Sequence, residues 1–397
     1  MTSRERVLRA LRHEEPDRVP VDLGGMASTG IMGIAYNKLK GYWRMEGGHT
    51  RIYDIGQQLA LVEREVLERI GGDVLPVIPS FPKRWKPWAL PDGSPCEVPE
   101  DFDPDRLPDG SLVLRDAEGR IVARMPPGGY YFDGVYHPLA DATSISDLDR
   151  YPFYTPMGGE EVEELRRQAK ELYENTDYAL MLDGAGGIYE WAQGLRGWDV
   201  FMMDLVADPK FAGALLDRLV DANIMRLEQV LPAVEGYVQV VQVGDDLGLQ
   251  DGPQLSPELY RRVVKPRHKR LYRYIKEHTS AYLFLHTCGS VYDFIPDFVE
   301  MGVDIINPVQ VSARNMETDR LKREFGRDIV FWGGGCDTQH ILPFGTPEDV
   351  REEVRRRIGD LAPGGGFVFT QVHNIQAGVP PRNIEAMYRA VEEFGRY

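Results

Sequence analysis

The chain of 397 residues holds only three cysteines, Cys96, Cys288 and Cys336. So few, and an odd number, give no disulfide framework. No uninterrupted apolar run is long enough to span a bilayer. The opening Met1-Thr-Ser-Arg-Glu-Arg-Val-Leu-Arg-Ala lacks the apolar stretch of a secretory signal and reads as a charged, capped amphipathic helix. Basic charge is short as well, with 46 Lys and Arg against 62 Asp and Glu and a formal charge of -16. That balance argues against nucleic acid or an acidic membrane surface as the main partner. The one basic stretch, Arg261-Arg-Val-Val-Lys-Pro-Arg-His-Lys-Arg270, reads as the solvated face of a helix. There is no repeat of fixed period and no low-complexity tract. The expectation is a soluble cytoplasmic protein with an ordinary globular core, its hydrophobic content being 43%.

What is present is an alternation of short apolar, β-rich runs with longer helical patterns, the mark of a parallel sheet built from β-α units. Candidate strands fall at 19–23, 73–78, 178–182, 237–243, 281–285, 303–306, 329–332 and 367–370. Eight such units suit an α/β fold of the (β/α)8 TIM-barrel type, here over a single domain of residues 1–397. Residues 80–150 break the rhythm. They are Pro-rich at first, then carry a β-hairpin around Asp116-Ala-Glu-Gly119, and read as a β-rich insertion that caps the barrel. In a barrel the C-terminal strand ends meet at one face, which makes neighbours of tips distant in sequence.

Two tips carry distinctive chemistry: Leu283-Phe-Leu-His-Thr-Cys-Gly289 and Phe331-Trp-Gly-Gly-Gly-Cys-Asp337. His286 and Cys288 stand two apart, on one face of an extended strand. Imidazole and thiolate are ligands that Zn2+ prefers, and with Cys336 they would make three, leaving a fourth position open. The three glycines before Cys336 would let the backbone approach closely and place that thiolate at the tip. The competing reading is a buried cysteine acting as a small hydrophobe. Cys96, in the insertion, is read as incidental.

The opening Ser3-Arg-Glu-Arg-Val-Leu-Arg-Ala-Leu-Arg-His-Glu-Glu-Pro-Asp-Arg-Val-Pro20 resembles the start of the uroporphyrinogen decarboxylase superfamily. So do Leu195-Arg-Gly-Trp-Asp-Val-Phe-Met-Met-Asp204, Gly244-Asp-Asp-Leu-Gly-Leu-Gln250, Leu255-Ser-Pro-Glu-Leu-Tyr260 and His373-Asn-Ile-Gln-Ala-Gly-Val-Pro-Pro381. The resemblance spans the chain except the insertion and implies a (β/α)8 barrel. Within it, His286, Cys288 and Cys336 look like the zinc ligands of the cobamide-dependent methyltransferase branch. The arginine-rich motif that grips substrate carboxylates in the decarboxylases is replaced by Val21-Asp-Leu-Gly-Gly-Met-Ala27, and their catalytic aspartate by Val77-Ile-Pro-Ser80. A substrate with many carboxylates needs those cations.

The resemblance thus implies a zinc-dependent methyltransferase that moves a methyl group between a corrinoid (cobalamin) on a separate corrinoid-binding protein and a small molecule. That molecule would be a methoxylated compound, a methylamine or a thiol such as coenzyme M. Asp246 is a candidate catalytic acid, metal ligand or partner of His286, with Asp245 behind it; helix N-capping is the competing reading. His373 occupies the position of a family active-site histidine, with Asn374 and Gln371 as weaker neighbours. Tyr189 and Trp191 are candidates to stack on substrate, although core or rim aromatics look the same in sequence, and Asp245 and Asn374 are candidates for polar contacts to it. The rival readings are a decarboxylase of a smaller acid and a non-catalytic corrinoid or porphyrin carrier with a closed zinc site. Whether the chain forms a homodimer is left open.

Overall fold

The computed structural model describes residues 1–45 and 48–397. Its centre is a curled sheet of seven parallel strands. These are β1 (Val74–Val77), β2 (Ala179–Leu182), β3 (Val240–Gly244), β4 (Tyr282–His286), β5 (Ile305–Asn307), β6 (Val330–Trp332) and β7 (Phe367–Val368). Spatial order follows chain order, and every neighbouring pair is parallel. Helices make the crossovers that parallel pairing demands. They include α2 (Gly159–Asn175) before β2, α3 (Tyr189–Arg196) and α4 (Pro209–Val234) before β3, and α5 (Lys265–His278) before β4. Next come α6 (Ile295–Glu300), α7 (Thr318–Phe325), α8 (Pro347–Leu361) and, after β7, α9 (Pro381–Phe394).

The edge strands β1 and β7 are joined by residues 20–22, in the place of an eighth strand. Asp22 N donates to Phe369 O at 2.8 Å, and Phe369 N to Pro20 O at 2.8 Å. On the other side Asp73 N donates to Val21 O at 2.7 Å. The strand expected at 19–23 is therefore shortened to a single bridge, Val21 with Phe369. Pro20 has no N–H to give, and Val21 N is taken at 2.9 Å by the Asp73 side chain. The barrel expected from sequence thus stands, with one of its eight places very thin.

Alternation of side chains divides the core in two. Val74, Ala179, Met181, Val240, Phe284, Ile305, Val330, Trp332 and Val368 fill the barrel together with Val7, Ala10 and Leu11 of α1 (Ser3–Leu11). Gly366 N donates to Ala10 O at 2.9 Å, so α1 plugs the end where the strands begin. The alternate residues, such as Leu180, Val241, Leu283, Ile306 and Phe331, pack in the outer layer under the helices. Two residues beyond the inward row come Gln242, His286, Asn307 and Thr370, which the same periodicity carries to the opposite mouth.

The insertion forms an antiparallel pair, Trp85–Ala89 with Pro95–Pro99, and a four-stranded antiparallel sheet from Asp105–Arg106 to Asp133–Gly134. The expected hairpin turns at Asp116, whose Oδ1 accepts from Glu118 N at 3.0 Å and Arg120 N at 2.9 Å. Buried Leu90, Val98 and Phe102 join the hydrophobic cluster of the barrel's outer layer. The basic stretch is less solvated than expected. Arg261 and Lys265 pair with Asp297, Arg267 with Asp217 and Arg270 with Asp221, while His268 is fully buried. Among the described residues no helix is long and apolar enough to cross a membrane.

Asp73 is fully buried and binds Arg6 Nη1 at 2.7 Å and Arg18 Nη1 at 2.7 Å, besides Val21 N at 2.9 Å. One carboxylate thus ties β1 to the plug helix and to the closing segment. Asp73→Ala leaves two guanidinium groups short of their partner, and a loss of about 3–5 kcal/mol is expected in urea unfolding. A loss below about 1 kcal/mol would assign closure to apolar packing instead.

Candidate metal centre

His286 ends β4 on the inward row. Its Nδ1 lies 2.6 Å from Asn307 Oδ1, while Asn307 Nδ2 donates to Trp332 O at 2.8 Å. A backbone carbonyl only accepts, so the amide nitrogen must face Trp332 and the amide oxygen must face the imidazole. Nδ1 therefore carries a proton, and Nε2 is the ring nitrogen turned to the mouth. Around Nε2 stand Ser28 Oγ at 3.3 Å, Cys288 Sγ at 3.4 Å and Asp246 Oδ1 at 3.7 Å.

Cys288 sits just past the strand, where its backbone N donates to Asp246 Oδ1 at 2.7 Å. The loops after β3 and β4 lie against each other at Gly248 and Gly289. A Cβ at Gly289 would come within 2.3 Å of the Gly248 backbone, and one at Gly248 within 2.6 Å of Cys288 O. Both positions need glycine for this approach, which sets Cys288 beside Asp246. Burial, then Asp246 and Glu190, push the Cys288 thiol well above its ordinary pKa. Without a cation the thiol is protonated, and binding a metal would release that proton.

His373 follows β7 on the facing side of the mouth. Its ring centroid is 5.9 Å from that of His286, and the ligand atoms of His286, Cys288 and His373 all lie within 4.8 Å of one another. Burial and the neighbouring His286 lower its pKa to about 4, against a pull upward from Asp246 and a hydrogen bond to Asn374. A neutral imidazole is the form that ligates. Asn374 is itself fully buried, donating to Gln57 Oε1 at 2.9 Å and accepting from Gln376. It backs His373 rather than facing the mouth as a substrate contact. Gln371 donates to Thr29 O at 3.0 Å.

Four sequence expectations need correction. Cys336 does not join His286 and Cys288. Gly333 and Gly334 adopt φ of 98° and 78°, which breaks the alternation of β6, and Gly335 N and Cys336 O then bond Thr370 O and Val372 N. The thiol ends fully buried in the outer layer, with Glu353 and Arg357 of α8 among its charged neighbours. The glycines expected to present it are what turn it away. His373 stands in the third place instead. Asp245 is also not a substrate contact: buried, it accepts from Ile188 N, Tyr189 N and Glu190 N at 2.7–2.9 Å and meets His268 Nε2 at 2.9 Å. It caps α3 from outside that helix. Tyr189 is fully buried, its OH on Met202 Sδ at 3.1 Å. Trp191 is exposed and lines a separate cleft with Tyr151, Phe153 and Arg226.

Sequence reading missed several residues at the mouth. Asn307 was visible only as a polar tip, and Ser28 lies in a loop without periodicity. Glu190 Oε2 accepts from Asp246 N at 3.0 Å, and desolvation with Asp246 and Asp245 nearby raises its pKa well above the carboxylate range. Asp22, fully buried, accepts from Trp332 Nε1 at 2.9 Å; burial raises it to about 6. Burial and then Asp54 raise Asp183 to about 7.

A family model described as uroporphyrinogen decarboxylase matches residues 140–394. The chain is 23% identical over 298 residues to a uroporphyrinogen decarboxylase of Alkalilimnicola ehrlichii, covering 71% of this chain and 74% of that protein. It is 27% identical over 195 residues to the methylcobamide:CoM methyltransferase MtbA of Methanosarcina acetivorans, covering 48% and 54%. With this and several further decarboxylase relatives, the match spans about half of the relative's length. In fold it is similar to the solved structure of a methyltransferase from Methanosarcina mazei, with a TM-score of 0.60 over 99% of both chains at 19% identity.

The depressed pKa of His373 gives the metal-free protein a pH signature. From the ordinary value of 6.5 down to about 4, the unfolded chain binds a proton there and the folded protein does not. Stability therefore falls as pH is lowered through that window. His373→Gln removes this contribution, while those of Asp22 and Asp183 are common to both proteins. The variant's urea midpoint is expected to fall less between pH 6.5 and 4.5. Equal falls would place the imidazole in water.

Proposed function

The chain belongs to the uroporphyrinogen decarboxylase family, and within it we propose a zinc-dependent methyltransferase whose metal is held by His286, Cys288 and His373. The methyl group would pass between a corrinoid on a partner protein and a small methoxylated compound, methylamine or thiol. The observation that carries this reading is the convergence of two imidazoles and a thiol within 4.8 Å at the mouth of a barrel. The donor set fits zinc. His286 offers Nε2 in a tautomer fixed by Asn307, His373 is neutral, and three protein ligands leave a fourth position for a reactant. Zinc, when bound, would act as a Lewis acid and lower the pKa of a thiol or hydroxyl group on the reactant.

The remaining steps fall to the chain's own groups. Asp246 holds Cys288 through its backbone N and stands 3.7 Å from His286 Nε2, so it positions both. Glu190 gives Oε2 to Asp246 N, which leaves Oε1 to carry the proton favoured by its raised pKa. That proton is available to a leaving nitrogen or oxygen. Decarboxylation of a smaller acid is the second reading, supported by the names of several relatives. The acidity of the mouth weighs against it. Burial and neighbouring acids raise Asp183 to about 7 and raise Glu190 likewise, and a substrate carboxylate buried beside them would be pushed toward its protonated form in the same way.

The test pairs metal analysis with turnover. About one zinc per chain is expected in protein purified without chelator, most of it lost in Cys288→Ser and retained in Cys336→Ser. The zinc form is expected to demethylate methylcobalamin with a thiol, or to methylate reduced cobalamin from a methoxyarene or methylamine, followed by the cobalamin spectrum. Equal zinc loss in the two cysteine variants would overturn the ligand set. A zinc protein inert in every methyl assay that releases carbon dioxide from a carboxylic acid would establish the second reading.

A further inference from the structure

The cap contains a cavity of about 420 Å³ that takes no part in the metal centre. That volume lies within the range of small-molecule sites, roughly 300–1,000 Å³. Its wall is aromatic and aliphatic. Trp88, Phe102 and Phe132 form a continuous edge-to-face series, with centroids 5.4 Å apart for the first pair and 5.9 Å for the second. Val98, Leu112 and Met125 complete the apolar surface. Such a lining matches a flat ring rather than a polar sugar or a nucleotide.

The cavity also carries one cation. Arg106 lines it and is tied only through Nη1 to Gly110 O at 3.2 Å; among the described residues it forms no ion pair. Nearby carboxylates are engaged elsewhere, Asp105 with Arg115 and Asp109 with Arg124. A free guanidinium on an apolar cavity suits a planar carboxylate, which it can hold through two hydrogen bonds. Gln58 forms the opposite corner. It holds φ at 55°, an uncommon conformation for a residue with a side chain, and donates to Tyr130 O at 2.8 Å. Its neighbour Gln57 accepts from Asn374, which backs His373, so cavity and mouth share a wall one residue thick in sequence.

We propose that the cap binds a one-ring aromatic carboxylate, with the ring against the wall of Trp88, Phe102 and Phe132 and the carboxylate on Arg106. This site is independent of the zinc reading. The test is calorimetric titration of the full chain with 4-methoxybenzoate and with the uncharged 4-methylanisole. One binding event is expected, at least about tenfold tighter for the carboxylate. Arg106→Gln, a change at an exposed position, is expected to abolish that preference while altering the neutral compound's affinity less than about twofold. Leu112→Trp, which projects an indole into the cavity from its wall, is expected to weaken the binding of both by at least about tenfold, with the fold checked by circular dichroism. Should that variant fail to fold, Arg106→Gln still decides. Binding is expected to survive removal of metal by chelator. Equal affinity for the two compounds, an unchanged preference in Arg106→Gln, or loss of binding on chelation would each overturn the proposal. Loss on chelation would move the ligand to the metal centre, leaving the zinc reading intact.

Discussion

Closure of the barrel rests on a buried carboxylate. β1 and β7 are the first and last strands of the sheet, and the segment between them supplies one bridge and a few backbone bonds. Asp73 makes up the deficit by binding Arg6, Arg18 and Val21 N at once. A buried charge is tolerable only with such partners, and here the partners come from the plug helix and the closing segment. The same ion cluster therefore fixes where the chain begins its barrel and where the sheet ends. Ser28 and His373 follow the two sides of that seam, at residues 22 and 369, and both stand beside His286.

The mouth combines two demands that pull against each other. Two imidazoles and a thiol are gathered at His286, Cys288 and His373, and acids stand beside them at Asp246 and Glu190. In the absence of a cation the arrangement is costly in charge, and the groups respond by staying neutral. Cys288 and Glu190 are pushed up and His373 is pushed down. Each of these shifts opposes the charged form that would cost most to bury. A cation placed among them would lower both the thiol and the carboxyl, because opposite charge favours their ionised forms.

Much of this was legible from residue order alone. Apolar runs located the strands, and strand-end polarity located the mouth, because period-two alternation is a property of any strand. His286 and Cys288 were legible for the same reason, being two apart at one tip. What alternation cannot reveal is where it stops. Positive φ at Gly333 and Gly334 reverses the direction of Cys336, and a glycine can adopt either sign of φ with no trace in sequence. The adjacent Asp245 and Asp246 show the same limit. One is a fully engaged cap for α3 and the other faces His286, a difference of one residue that only packing resolves. Asn307, which sets the tautomer of His286, acts through a contact between neighbouring strands that no local motif encodes.

The division between barrel and cap bears on where specificity resides. The family match begins at residue 140, after nearly all of the insertion, so it covers the strands from β2 onward, at whose ends His286, Cys288 and His373 converge. Barrels of this kind keep their chemistry at strand ends and vary their substrates through the segments that cover them. Here the covering segment has its own hydrophobic residues, lines most of a cavity and carries Arg106, which forms no ion pair among the described residues. It reaches the mouth through Tyr131, whose OH accepts from Gln376, which in turn donates to Asn374. Those contacts run from the cap to the residue that backs His373. The side chains at the mouth are placed by the barrel's periodicity, whereas the insertion is seated by its own buried residues and by a few amide hydrogen bonds. The two can therefore diverge independently, and relatives sharing the same barrel need not share a substrate.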